Sequence, residues 1–204
     1  MKKGIRIIPL ILALILLTSL ASATVLRVSA PDEVGALIKF NISVKSTVSN
    51  LAGFQITLRA DNAEFLEVHK GEPIEDWSLG YVEVDDGIQL IGVYSQRTLS
   101  GTAVEIAKIT VRAYENTTFW IDREETKLVD KNEKEIKVDR FYNHSVTVHK
   151  YGDVNLDGIV DIEDFMRLKK IILLEKERTL TSDMNDDGEV NILDLVKLIN
   201  LIPW

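Results

Sequence analysis

Between Val25 and Val148 apolar and polar residues alternate in short runs with a period of two. Ile38, Phe40, Ile42 and Val44 alternate with Lys39, Asn41, Ser43 and Lys45, and Phe54, Ile56 and Leu58 alternate with Gln55, Thr57 and Arg59. Successive side chains of a strand point to opposite faces, so this spacing predicts half-buried strands. Val25–Ser29, Leu66–His69, Tyr81–Val84, Ile88–Tyr94, Val104–Tyr114, Thr118–Ile121 and Val146–Val148 read the same way. The Val104–Tyr114 run changes phase at Ala107-Lys108, which marks a bulge. Asp85-Asp86-Gly87 between two runs predicts a hairpin turn. Many short strands with polar turns and no long helical pattern predict a β-sandwich.

After His149 the period changes. Ile162, Phe165, Leu168 and Ile172 recur at helical spacing, as do Ile192, Leu195, Leu198 and Ile202. Each run leads out of a twelve-residue string of one pattern, DVNLDGIVDIED over Asp153–Asp164 and DMNDDGEVNILD over Asp183–Asp194. Calcium takes about six to eight oxygen ligands, and a twelve-residue loop can wrap it only by turning sharply at its sixth position. The pattern therefore predicts Asp153, Asn155, Asp157, the Ile159 carbonyl, Asp161 and Asp164 as ligands in the first loop. In the second it predicts Asp183, Asn185, Asp187, the Glu189 carbonyl, Asn191 and Asp194. Gly158 and Gly188 supply the turn. One such string is as readily an ordinary acidic turn. Two in register, each followed by the same helix, point to two bound calcium ions.

Size and charge add to this picture. Residues 151–204 hold twelve acidic against six basic side chains, and the whole protein has no cysteine. So small a segment buries too little surface to fold comfortably without a staple. Metal binding and folding of this segment are thus expected to be coupled.

The loops depart from the usual EF-hand: position 12 is aspartate, and a strand rather than a helix leads into the first loop. A tandem pair of loops with exiting helices resembles the dockerin module, over nearly all of residues 151–204. The resemblance implies a calcium-dependent domain that docks onto a cohesin partner. It places partner contacts at loop positions 10 and 11 and the following helical turns, here Glu163, Lys169, Lys170, Leu193, Ile199 and Asn200. The two repeats differ in charge there, which implies one dominant docking orientation. Ile162 and Ile192, also at these positions, fit packing against each other equally well.

The stretch from Val25 to His149 resembles the cohesins. The resemblance rests on VSAPDEVGALIKFNISVKS, LAGFQITLRADNAEFLEVHKGE, AVEIAKITVRAYE and the closing SVTVHKYGDVN. It implies a nine-stranded jelly-roll sandwich that binds a dockerin on one sheet face. The predicted fold class is therefore a mainly β jelly-roll sandwich followed by a small α domain of two calcium loop–helix repeats.

Lys2, Lys3 and Arg6 before an apolar run from Ile7 to Leu17, with Ala21-Ser22-Ala23 behind it, predict a cleaved export signal. The expected division is 1–23 leader, 24–149 sandwich and 150–204 dockerin. The mature chain is then secreted or associated with the cell surface, with no stable membrane insertion after cleavage. The formal net charge of −8, more negative still without the leader, argues against nucleic acid.

No catalytic motif accompanies these features, and the predicted chain is not an enzyme. His69, His144 and His149 lack metal-ligand spacing. Trp120, between Phe119 and Ile121, is expected to point outward, where it could contact carbohydrate. Two readings follow. One is a secreted adaptor whose partners are cohesin- or dockerin-bearing proteins, other copies of itself joined head to tail included, in an assembly linked to polysaccharide binding or degradation. The alternative is a carbohydrate-binding sandwich tethered to an assembly through its dockerin. Lys150–Gly152 is too short a linker for the second domain to fold back onto the sheet face of the first.

Overall fold

The computed structural model describes residues 23–94 and 96–202. The predicted leader, Ala23 excepted, lies outside the described residues. Strands β1 (Val25–Ser29), β2 (Glu33–Gly35), β3 (Lys39–Ala60) and β4 (Ala63–Lys70) come first, and a 3-10 turn at Glu72–Ile74 follows. Then come β5 (Ser78–Val84), β6 (Gly87–Val93), β7 (Leu99–Ala113), β8 (Thr117–Ile121), β9 (Lys127–Asp130), β10 (Arg140–Tyr142) and β11 (His144–His149). Helices α1 (Ile162–Ile172) and α2 (Ile192–Ile199) complete the described chain.

The two runs expected as separate strands at residues 38–45 and 54–58 are one 22-residue strand, β3. The polar stretch between them keeps pairing with β7, and the strand bends instead of breaking. Register shifts at Val44/Lys45, Ser46/Val48 and Val48/Leu51 mark the bend. Asn50 there adopts a left-handed φ of 57°, a conformation asparagine tolerates better than most residues. The first half of β3 pairs with β1 and β7, whose outer partners are β10 and β4. The second half pairs with β6, β8 and β9, which leads on to β5 at one side and β11 and β2 at the other. Two layers thus share one strand.

Eleven strands stand among the described residues where the cohesin resemblance implies nine. Strands β2, β9 and β10 have three or four residues and bury at most two side chains each, too few for a period to be read. The bulge in β7 falls one residue before its expected place. Ala107 pairs with Val44 and Glu105 with Lys45, so Ile106 is the extra residue, and both Ile106 and Ala107 are buried.

The core lies between the layers. Phe119 from the second layer meets Phe40 and Phe65 of the first edge-on, with ring centroids 6.1 and 6.2 Å apart, the arrangement that ring quadrupoles favour. Trp77 closes one end, stacked on Phe54 at 5.9 Å. A second, small core of Val154, Leu168, Ile171, Met184, Leu198 and Ile202 binds both loops to both helices.

The helical part rests against the sandwich at its β2 edge, not on a sheet face, which agrees with the short linker. Gly35 approaches the Leu180–Thr181 backbone so closely that an added Cβ would lie 3.0 Å from the Leu180 carbonyl oxygen. A cleft beside it is lined by Leu37, Lys39 and Arg112 on one side and Tyr151, Asn185 and Asp186 on the other.

Phe119→Ala empties the middle of the sandwich core. It is expected to lower stability by about 3–5 kcal/mol, measured as a shift in a urea or guanidinium unfolding midpoint.

Candidate calcium loops and docking faces

The two loops share most of their hydrogen bonds; the bond from the Asp186 N–H to Asp183 at 2.8 Å is particular to the second. In the first, Asp153 accepts hydrogen bonds from the Asp157 N–H at 3.0 Å and the Gly158 N–H at 2.8 Å. In the second, Asp183 accepts from the Asp187 N–H at 3.3 Å and the Gly188 N–H at 2.8 Å. Asn155 and Asn185 each donate to the position-5 aspartate, at 2.8 and 2.6 Å. Gly158 and Gly188 have φ of +90° and +88°. Nothing lies within 4 Å of a Cβ built on either, so a side chain there would be opposed by backbone strain alone.

Position 12 closes each loop. Asp164 is fully buried, and its Oδ1 accepts from the N–H groups of Val154 and Asn155 at 2.7 and 2.9 Å. Its Oδ2 accepts from the Asp161 N–H at 2.9 Å. Asp194 repeats this with Met184, Asn185 and Asn191 at 2.8, 3.1 and 2.8 Å. One carboxylate thereby ties the start of the loop to the start of the helix. Position 9 supplies the N-cap: Asp161 accepts from the Glu163 N–H and Asn191 from the Leu193 N–H. Both helices carry a complete capping box, which satisfies N–H groups that a helix start leaves orphaned.

The donor set of both loops is oxygen throughout, which suits a hard cation. The buried carboxylates Asp153, Asp164 and Asp194 have no Lys, Arg or His ion pair within 4.0 Å among the described residues. Buried charge without a counter-charge is costly, and a cation in each loop would supply one. The described residues hold no ready-made cluster of three carboxylate or imidazole groups, because the side chains are turned onto the loop's own N–H groups. The residues fit calcium by donor type, spacing and missing counter-charge.

The positions expected to touch a partner lie on the helices. Glu163, Lys169, Lys170, Leu193 and Asn200 are exposed, and Ile199 is half-buried. Ile162 and Ile192 are not core residues: they are 48% and 60% exposed. Together with Met166 on α1 and Val196 on α2, also exposed, they leave one apolar face open on each helix. The sequence pattern could not separate this from core packing, because both use the same spacing.

A second open face lies on the outer side of β5, β6 and the second half of β3. Val82, Ile91 and Val93 are about half exposed there. At the other end of this face Arg59 anchors a charged group. Its Nε meets Asp122 at 2.8 Å, its Nη2 meets Glu125 at 2.9 Å, and its Nη1 donates to the Asp85 carbonyl. The hydrogen bond from Arg59, helped by the N–H groups of Glu125 and Glu124, holds the Asp122 carboxyl below its ordinary pKa; Asp122 in turn raises that of Arg59. Trp120 sits opposite Arg59 in the ladder and points outward as expected, since Phe119 and Ile121 are core. It lines a depression with Tyr114, Asp61, Asn62 and Asp86. This face was missed by sequence reasoning. Exposed Val and Ile in a strand carry the same signal as buried ones.

Comparison with known proteins agrees with this architecture. Residues 151–203 match the dockerin type I domain family. The N-terminal part superposes on a non-cellulosomal cohesin from the hyperthermophilic archaeon Archaeoglobus fulgidus, with a TM-score of 0.56 and 13% identity, over 62% of this chain and 91% of that one. It also superposes on a cohesin module from a Clostridium perfringens family 33 glycoside hydrolase, with a TM-score of 0.54 and 7% identity, over 63% and 98%. No curated protein sequence matches the chain. The chain is a domain of cohesin-like fold followed by a dockerin type I domain.

Two outcomes follow from these sites. Asp164→Ala strands three N–H groups at the loop–helix junction and is expected to remove α1 protection in amide hydrogen exchange while the sandwich strands stay protected. The Asp122 pKa is depressed on folding, so its contribution to stability is present above the ordinary carboxylate range and is lost as pH falls through the lower, folded value. Arg59→Met is expected to flatten that acid-side loss in urea melts taken below about pH 4.

Proposed function

We propose that the chain is an exported, non-catalytic adaptor that joins other proteins through calcium-dependent cohesin–dockerin contacts. The observation that carries this reading is the presence, in one chain, of a dockerin type I domain and a cohesin-like sandwich, each with an open apolar face. The proposed division is leader 1–23, sandwich 24–149 and dockerin 150–204. The export step rests on the N-terminal pattern of Lys2, Lys3, Arg6 and the Ile7–Leu17 run. No helix among the described residues is long and apolar enough to cross a membrane.

In this reading each loop holds one calcium ion through Asp153, Asn155, Asp157, the Ile159 carbonyl and Asp164, or through Asp183, Asn185, Asp187, the Glu189 carbonyl and Asp194. Asp161 and Asn191 serve first as helix caps, and their contact with the ion is suited to a bridging water, as is common at position 9. The bound ion offsets the unpaired carboxylates and fixes the loop, and so fixes the helix that starts from it. Glu163, Lys169, Lys170, Leu193, Ile199 and Asn200 make up the dockerin's docking surface. The sandwich receives its partner on the outer face of β5, β6 and β3. Its flat apolar area, bounded by charge, has the anatomy of a protein contact. Trp120 lies on that same face, so we assign it to partner contact as well. The link to polysaccharide is the assembly's, with this chain as connector.

The reading is tested by calorimetric titration of calcium into the metal-stripped chain. Two bound ions are expected, with helix content rising on binding. Asp157→Ala and Asp187→Ala should each remove one ion. A stoichiometry of zero, with the sandwich folded, would overturn the calcium assignment. Retention of the chain on insoluble polysaccharide that Trp120→Ala abolishes would transfer the sandwich face to sugar binding.

A further inference from the structure

The sandwich and the dockerin of this chain carry faces that complement each other in both polarity and charge. On the sandwich, the apolar strip of Val82, Ile91 and Val93 gives way to an acidic end. That end comprises Asp85 and Asp86 at the β5–β6 hairpin tip and Asp122, Glu124 and Glu125 beside Arg59. Arg59 and Arg123 leave it net negative. On the dockerin, α1 presents Ile162, Met166 and Lys170 at four-residue spacing, one stripe along one helix face. The stripe is apolar at the start of the helix and basic at its end, where Lys169 and Lys170 stand exposed and Lys176 follows.

The spans agree. From Val82 to Asp85 is about 10 Å along a strand, and from Gly80, the partner of Ile91, to Asp85 about 17 Å. From Ile162 to Lys170 is about 12 Å along a helix, so the stripe reaches Val82 and Ile91 while Val93, level with Ser78, lies beyond it. Helix α2 offers Ile192, Val196 and Asn200 at the equivalent places, which supply the apolar part and no cation. The match is therefore with α1. The same chain cannot close the contact on itself in the arrangement described, since its helical part rests on the β2 edge and both faces remain open.

We propose that the acidic–apolar face of the sandwich receives α1 of a second copy of this chain, so that copies join head to tail. The proposal rests on the adaptor reading and names the partner of its two faces. Lys169 and Lys170 sit over Asp85, Asp86 and Glu125, while Ile162 and Met166 cover Val82 and Ile91. Unlike-charge contact at one end and apolar contact at the other fixes the direction of the helix. A contact between different patches of identical subunits is heterologous. It propagates into an open chain, or into a ring if the rotation closes.

The test is sedimentation velocity of the mature chain in calcium across a concentration series. Species larger than a monomer are expected, and they should revert to monomer with chelator and weaken with salt. Lys169→Glu with Lys170→Glu should weaken association about tenfold or more, as should Asp85→Lys with Asp86→Lys. An equimolar mixture of these two double variants should associate again, because each retains one intact face; this also shows that both fold. All four substitutions in one chain should restore self-association. A wild-type chain that stays monomeric in calcium at every concentration overturns the self-recognition. If that monomer still captures a foreign dockerin or cohesin, the adaptor reading stands without it. Association that persists unchanged in both double variants would overturn the assigned contact.

Discussion

Strand β3 is the constraint on which the sandwich depends. It runs 22 residues, crosses from one layer to the other at the Asn50 bend, and pairs with β1, β6, β7, β8 and β9. With no disulfide available, the two layers are held by this shared strand and by the apolar surface buried between them. The same strand sets what the outside can do. Its second half turns Phe54, Ile56 and Leu58 inward and Gln55 and Arg59 outward. The core and the open apolar face are therefore opposite sides of a single alternation.

The dockerin solves a different problem. It has too little core to be held by burial, and its loops concentrate negative charge. Asp164 and Asp194 are each spent on three backbone N–H groups that bind loop to helix. That leaves anionic, partly buried loops whose remaining requirement is a cation. Calcium in this reading is a structural member whose removal releases the helices and, with them, the docking surface. A calcium-rich exterior would then favour assembly and a calcium-poor interior would not.

The two repeats share one backbone but not one surface. Every first-loop hydrogen bond compared above recurs thirty residues later, while the outward residues diverge: Glu163 against Leu193, Lys169 against Ile199, Lys170 against Asn200. The residues that tie each loop to its helix are repeated, and those on the exposed side of the helices are not. Under the proposed adaptor reading, divergence of this kind would favour one docking orientation over the other.

The sequence by itself determined the two twelve-residue turns and the helices that leave them, because the spacing of oxygen-bearing side chains within twelve residues is a local property of the chain. Alternation likewise determined most strands, the Asp85-Asp86 turn and the outward aim of Trp120. It could not show that the runs around Phe40 and Phe54 are one strand, since continuity across Asn50 comes from pairing with β7 and not from local preference. Nor could it tell Ile162, Ile192, Ile91 and Val93 from core residues. An apolar side chain at the right period is the same signal whether a layer covers it or a partner will. Which apolar residues stay open was decided only when the two layers closed on each other and the helices packed on Leu168 and Leu198, because burial is a property of what lies opposite.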